Sequence, residues 1–172
     1  MDEDLRAELL ARRDEDQRVR MAASPLPAGQ LREIPEEIAA MMRVDEANTA
    51  WLAELTTRRG WPGRTLAGED GAHAAWLLAQ HADPEAQPAF LELLRAAVAA
   101  GEASATDLAY LDDRVRLYAG QPQLYGTQFR DDGQGPRPWT IEDPENLDRR
   151  RASVGLGAFA DYEAPMRPPS SR

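Results

Sequence analysis

Leu5, Leu9, Leu10, Val19 and Met21 follow helical spacing from the start of the chain up to Ser24-Pro25-Leu26-Pro27, which no regular helix crosses. This predicts an N-terminal helix over 1–23 and a proline-containing loop over 24–34. Pro35 suits a first helical turn, and Ile38, Met41, Met42, Val44, Asn48, Trp51, Leu52 and Leu55 then repeat until Gly60. Trp61-Pro62-Gly63 reads as a turn. A third helix is expected from Glu69 to Ala82 on the stripe Ala74, Leu77, Leu78 and His81. The fourth can start at Asp83-Pro84 or at Gln87-Pro88. It carries Phe90, Leu91, Leu94 and Val98 and stops at Gly101. Ser104 with Asp107 three residues later resembles a capping box. The fifth helix then runs to Ala119 with Leu108, Leu111, Val115 and Tyr118 on its apolar face.

After Gly120 the periodicity changes. Leu124 to Phe129 and Pro138 to Ile141 flank Asp131-Asp132-Gly133-Gln134-Gly135-Pro136, the pattern of two short paired strands. Asp143-Pro144 starts a short helix through Arg151, and the Pro- and Ser-rich segment 165–172 is expected to be a disordered tail. The expectation is a mainly α fold: one domain over 1–164, a helical bundle of about five helices (its core at 35–119). The signature loop, a small C-terminal β-hairpin and the short helix follow over 120–164.

Composition narrows the chemistry by what is missing. There is no cysteine, which excludes thiolate nucleophiles, disulfides and iron–sulfur ligation. There is no lysine either: all 20 basic residues are arginine, so Schiff-base chemistry and a P-loop lysine are excluded. The arginine-only, alanine-rich usage points to a GC-rich genome of actinobacterial type. A net charge of -10 opposes nucleic acid and anionic membrane surfaces. No apolar run reaches the length of a membrane span, and the start Met1-Asp2-Glu3-Asp4 is unlike a signal peptide, so a cytoplasmic protein is expected.

The densest polar stretch is Gly120-Gln121-Pro122-Gln123-Leu124-Tyr125-Gly126-Thr127-Gln128, just beyond a helix carrying Asp112-Asp113-Arg114. Burying so many amide and hydroxyl groups demands partners, so such a cluster lines a cavity or binds something. Four of the helices also place a polar group on or beside the apolar stripe: Asp16 and Gln17, Asn48, His81, and Arg114. His81 closes its helix, where the macrodipole favours the cation. It reads either as a general acid or base oriented by Gln80 and Asp83, or as a cap on its own carbonyls. Asp112 and Arg116 are spaced for an exposed pair, as are Asp16 and Arg20. Arg114 is set to reach inward to a carboxylate or an anionic ligand. His73 is expected to pack or to face solvent. With two histidines and no cysteine, neither His81-x-Asp83 nor its neighbours form a metal signature, and no metal or other cofactor is expected. Gly155-x-Gly157 lacks the context of a nucleotide loop.

Trp61-Pro62-Gly63, Gln80-His81-Ala82-Asp83, Asp113-Arg114, the Gly120–Gln128 stretch, and Asp148-x-Arg150-Arg151 with Gly155-Leu156 together resemble an uncharacterised, largely actinobacterial domain family marked by a YGTQ signature. Asp16-Gln17-x-x-Arg20 is similar to its N-terminal element. The resemblance spans nearly the whole chain and implies motif positions, but no reaction. The leading expectation is a cofactor-free tailoring enzyme for a small molecule or peptide, with specialised metabolism as a setting. His81, Asp113 and Tyr125 are its candidate catalytic residues. Asp16, Gln17, Arg20, Gln80, Arg114, Gln123, Thr127, Gln128 and Arg150 are its candidate binding residues for a polar or anionic ligand. His81, Arg114, Tyr125 and Gln128 are expected to converge. The competing expectations are a non-catalytic ligand-binding or interaction module, and a polar core that only fixes helix register.

Overall fold

The computed structural model describes residues 1–23, 34–131, 133 and 135–166. It is mainly helical with one small antiparallel hairpin. Of the expected loop at 24–34 and tail at 165–172, residues 24–33 and 167–172 lie outside the described residues, while Pro165 and Met166 belong to a 3-10 turn, Ala164–Met166, and not to a disordered tail. The chain divides into two compact units, Met1–Ala103 and Ser104–Arg172.

The first unit contains α1 (Glu3–Ala23), α2 (Glu36–Arg59), α3 (Arg64–His81) and α4 (Gln87–Ala99). Asp2 caps α1 by accepting the Leu5 N–H at 3.0 Å, and Glu3, Asp4 and Arg20 complement its dipole. Gly60, at φ 73°, ends α2 in a conformation that favours glycine. α3 begins earlier than its apolar stripe does. The Glu102 carboxylate, distant in sequence, accepts the Thr65 N–H (2.7 Å) and hydroxyl (2.6 Å), so Arg64–Ala67 form a turn before a break at Gly68. Of the two possible starts of α4 the chain uses the second, with Pro88 in the first turn, while Asp83 and Pro84 lie in the preceding turn.

Leu9, Leu52, Leu78, Phe90 and Leu94 fill the core of this unit. Ala67, Ala74, Ala75 and Ala79 are buried on α3, and such small side chains let a neighbouring helix come close. α1 takes that place. Arg6 bonds Asp70 (Nε–Oδ1 2.8 Å) and Asp16 meets His81, so α1 and α3 run parallel. α2 runs antiparallel to α1, with Arg12 on Asn48 and Arg20 on Asp45.

The second unit starts with α5 (Ala105–Tyr118), which Ser104 caps by accepting the Asp107 N–H at 3.4 Å. The hairpin pairs β1 (Phe129–Asp131) with β2 (Pro136–Pro138) in the register Phe129 to Pro138. It is shorter than the sequence pattern suggests, because the amides of Leu124, Tyr125 and Thr127 bond a carboxylate rather than a strand. A 3-10 turn at Pro144–Asn146 leads into α6 (Leu147–Ser153), and α7 (Phe159–Glu163) follows. Tyr118, expected on the buried face of α5, is exposed. Among the described residues no helix is long and apolar enough to cross a membrane.

Candidate functional site

In the first unit the parallel packing of α1 on α3 brings Asp16 against His81, with the Asp16 Oδ2 2.9 Å from the imidazole Nδ1. Asp16 is fully buried, and the His81 side chain retains 15% of its exposure. Arg20, one turn after Asp16, sets its Nε 3.2 Å from both Asp16 oxygens and 2.9 Å from the same His81 nitrogen. The Arg20 Nε–H is placed to donate either to His81 Nδ1 or to Asp16, and in the Nδ1–H tautomer the imidazole N–H and the Arg20 Nε–H both donate to Asp16. The Arg20 Nη2 donates to Asp45, and its Nη1 lies 3.4 Å from the Met41 sulfur. Among the described residues His81 Nε2 has no partner.

Burial alone would raise the Asp16 carboxyl, but the bonds and charges of His81 and Arg20 outweigh it and hold the group below its ordinary value. A carboxylate lowered in this way contributes stability above its ordinary value of 3.8, and this is lost as pH falls through the lower value of the folded state. The stability gap between wild type and Asp16→Asn is therefore expected to be wide at pH 7 and to close below about pH 4. Denaturant unfolding of both proteins at pH 7 and at pH 3 measures it; a gap that stays constant contradicts the assignment.

In the second unit Asp113 is the centre of the polar loop. It is fully buried at the middle of α5, and its Oδ1 accepts the N–H groups of Leu124 (2.6 Å) and Tyr125 (3.0 Å). Oδ2 accepts the N–H and hydroxyl of Thr127, both at 2.9 Å. Burial pushes this carboxyl up while the amides pull it down, and the balance lies above the ordinary aspartate value. Neither oxygen faces an acceptor among these contacts, so the carboxylate is the form the geometry accommodates.

Gln123 imitates a strand partner. Its Oε1 accepts the Gln128 N–H at 2.9 Å, and its Nε2 donates to the carbonyls of Gln128 (3.1 Å) and Trp139 (2.9 Å). Gln128 donates its side-chain amide to Thr127 Oγ1 at 3.0 Å. The loop carbonyls take up α6: Arg150 Nε donates to Leu124 O (2.9 Å) and Arg151 Nη1 to Tyr125 O (2.6 Å). Arg151 is buried to 1% exposure, and its guanidinium lies over Tyr162 and Phe159. Gly126 sits at φ 69°, where a Cβ would come within 2.7 Å of the Phe159 ring, so both conformation and space exclude a side chain.

A model of a domain family of unknown function matches residues 3–167. The chain belongs to that family, DUF6624. No curated protein and no solved structure matches it. In this DUF6624 chain the matched span takes in both the His81 cluster and the Asp113 loop.

The expected site residues divide between the two units. His81, Asp16, Gln17, Arg20 and Gln80 belong to the first, and Asp113, Arg114, Tyr125, Gln123, Thr127, Gln128 and Arg150 to the second. Asp16, Arg20 and His81 are one hydrogen-bonded cluster, and Gln17, though exposed, donates to Asp16 Oδ2 at 2.8 Å. The orienting partner of His81 is Asp16, not Gln80 or Asp83. Gln80 is buried with its Oε1 unbonded among the described residues, and Asp83 is exposed. Arg20 and Arg150 have their guanidinium groups engaged inside their own units. Asp16 and Arg20 do pair, but not as a surface pair, since Asp16 is buried. The expected exposed pair of Asp112 and Arg116 does not form: Asp112 is buried, and Arg116 bonds Glu142 and the Pro122 carbonyl. Tyr125 and Arg114 are half-buried. His73 is exposed against the Trp76 ring. Sequence reasoning missed Asp45. Its signal was the helical spacing Asp45, Asn48, Thr49, Leu52 and Thr56 on α2, a line that otherwise turns inward.

Proposed function

We propose that the Asp16–His81 pair is a cofactor-free acid–base site acting on a polar small molecule or peptide. His81 Nε2 exchanges the proton, and Asp16 holds the ring and stabilises the imidazolium. The observation that carries this reading is the 2.9 Å contact of Nδ1 with a fully buried carboxylate, while Nε2 keeps no partner among the described residues. A histidine needed only as a helix cap would use its ring on backbone carbonyls and would not require a buried acid. The absence of cysteine and lysine supports histidine as the reacting group.

For the second unit we infer a structural role for Asp113, Gln123 and Thr127. They hold one another, the loop backbone and the Gln128 side-chain amide. The reading sets the chemistry in the cytoplasm. The arginine-only composition supports an actinobacterial origin, with tailoring in specialised metabolism as the setting.

Imidazole nitrogen NMR tests the central claim. At a pH where His81 is neutral, the wild type is expected to show the Nδ1–H tautomer, and Asp16→Asn to lose that preference. An Nε2–H tautomer in the wild type, with Nδ1 accepting from Arg20, would remove the proposed base and leave ligand binding without catalysis.

A further inference from the structure

The hydrogen bonds of the His81 cluster restrict what it can hold. Each guanidinium nitrogen of Arg20 already faces a partner: Nε faces Asp16, Nη2 faces Asp45, and Nη1 faces the Met41 sulfur. The Gln17 amide is given to Asp16. The second N–H of Nη1, of Nη2 and of the Gln17 amide is left over, but each of those nitrogens already has a partner. The side-chain atoms of the cluster with no partner at all among the described residues are acceptors. Asp45 meets Arg20 through Oδ1, and its Oδ2 has no partner among the described residues, nor has His81 Nε2.

Charge points the same way. Two carboxylates, Asp16 and Asp45, flank one guanidinium, so the cluster carries one excess negative charge whenever His81 is neutral. The side chains of Asp16 and Asp45 are 1% and 19% exposed, so water screens that charge poorly. Burial also pushes the Asp45 carboxyl above its ordinary range despite the bond from Arg20, a cost that a second cation would relieve. An incoming carboxylate or phosphate would meet two like charges, with the nearest guanidinium already engaged.

We propose that the substrate group bound beside His81 is a protonated amine, held through its N–H by Asp45 Oδ2, and not an anion. This rests on the reading of His81 as the reacting group, because it is that reaction's substrate whose class is named. Binding is nonetheless measured independently of the reaction. Asp45 acts here as a specificity residue.

The test is titration of the full chain with propylammonium, with propionate and with inorganic phosphate as probes. Imidazole NMR signals of His81 and calorimetry are the readouts. Propylammonium is expected to shift the His81 signals saturably. Asp45→Asn is expected to weaken that binding about tenfold or more, as loss of a charge-assisted hydrogen bond implies. Asp45→Glu, which keeps the charge, should retain most of it and guards against a fold defect in the first variant. Asp83→Asn, at an exposed acid near the same helix end, should change nothing. His81→Gln should still bind the amine by calorimetry, which separates amine recognition from the acid–base reading. Saturable binding of propionate or phosphate without binding of propylammonium overturns the proposal. So does amine binding that Asp45→Asn leaves unchanged.

Discussion

Replacing Asp113 with Ala is expected to cost about 3 kcal/mol or more, with a fall in Tm on the order of 10 °C. The substitution removes the acceptor of three backbone N–H groups and of the Thr127 hydroxyl at once. Thr127 is buried, so its amide cannot turn to water, and an orphaned buried donor costs about 1–3 kcal/mol. The loop would then lose the register that sets Leu124 and Tyr125 carbonyls against Arg150 and Arg151. Asp113→Asn should fall between, since one amide oxygen still accepts while its NH2 faces backbone donors. Thermal melting of the three proteins decides. A Tm for Asp113→Ala within about 2 °C of wild type would show that the loop does not depend on this carboxylate.

His81→Gln is expected to lower turnover of any substrate that the wild type converts by about a hundredfold to ten-thousandfold, with little change in Tm. Glutamine can still donate one N–H to Asp16, so the buried acid stays partnered, but the amide cannot exchange a proton at neutral pH. The comparison of rate with stability carries the argument. A variant that melts much lower and still turns over or binds every ligand normally assigns His81 a structural role. A variant that melts like wild type and has lost turnover assigns it the proton.

The helices were legible because each has an apolar stripe and a physical stop. Gly60 and Gly101 take positive φ where α2 and α4 end, and Ser104 caps α5 as its spacing with Asp107 implies. The start of α3 was not legible. Arg64 to Ala67 carry no stripe of their own, and their cap is a carboxylate 37 residues away, at Glu102. The strands were placed too far from their turn because Leu124–Gln128 looks strand-like by composition, while its amides are bound by Asp113 on α5. Of the site, the motif positions were readable one by one, but the pairing of roles was not. Gln80 and Asp83 are the sequence neighbours of His81, yet its partner comes from a different helix.

The sequence by itself determined the helical class, most of the helix ends and the excluded chemistries. These rest on local effects: stripe periodicity within one helix, the φ preferences of glycine and proline, and side-chain types that are simply missing. Only the tertiary structure decided which polar groups meet. Asp16 and Asp45 reach the His81 cluster because small residues on α3 let α1 lie close and parallel, and α2 antiparallel to α1 sets Asp45 beside Arg20. A carboxylate on an apolar stripe looks the same in sequence whether it is a solvated pair, a loop anchor like Asp113 or the partner of a histidine like Asp16. What distinguishes them is burial and the donors within about 3 Å, which packing between distant segments sets.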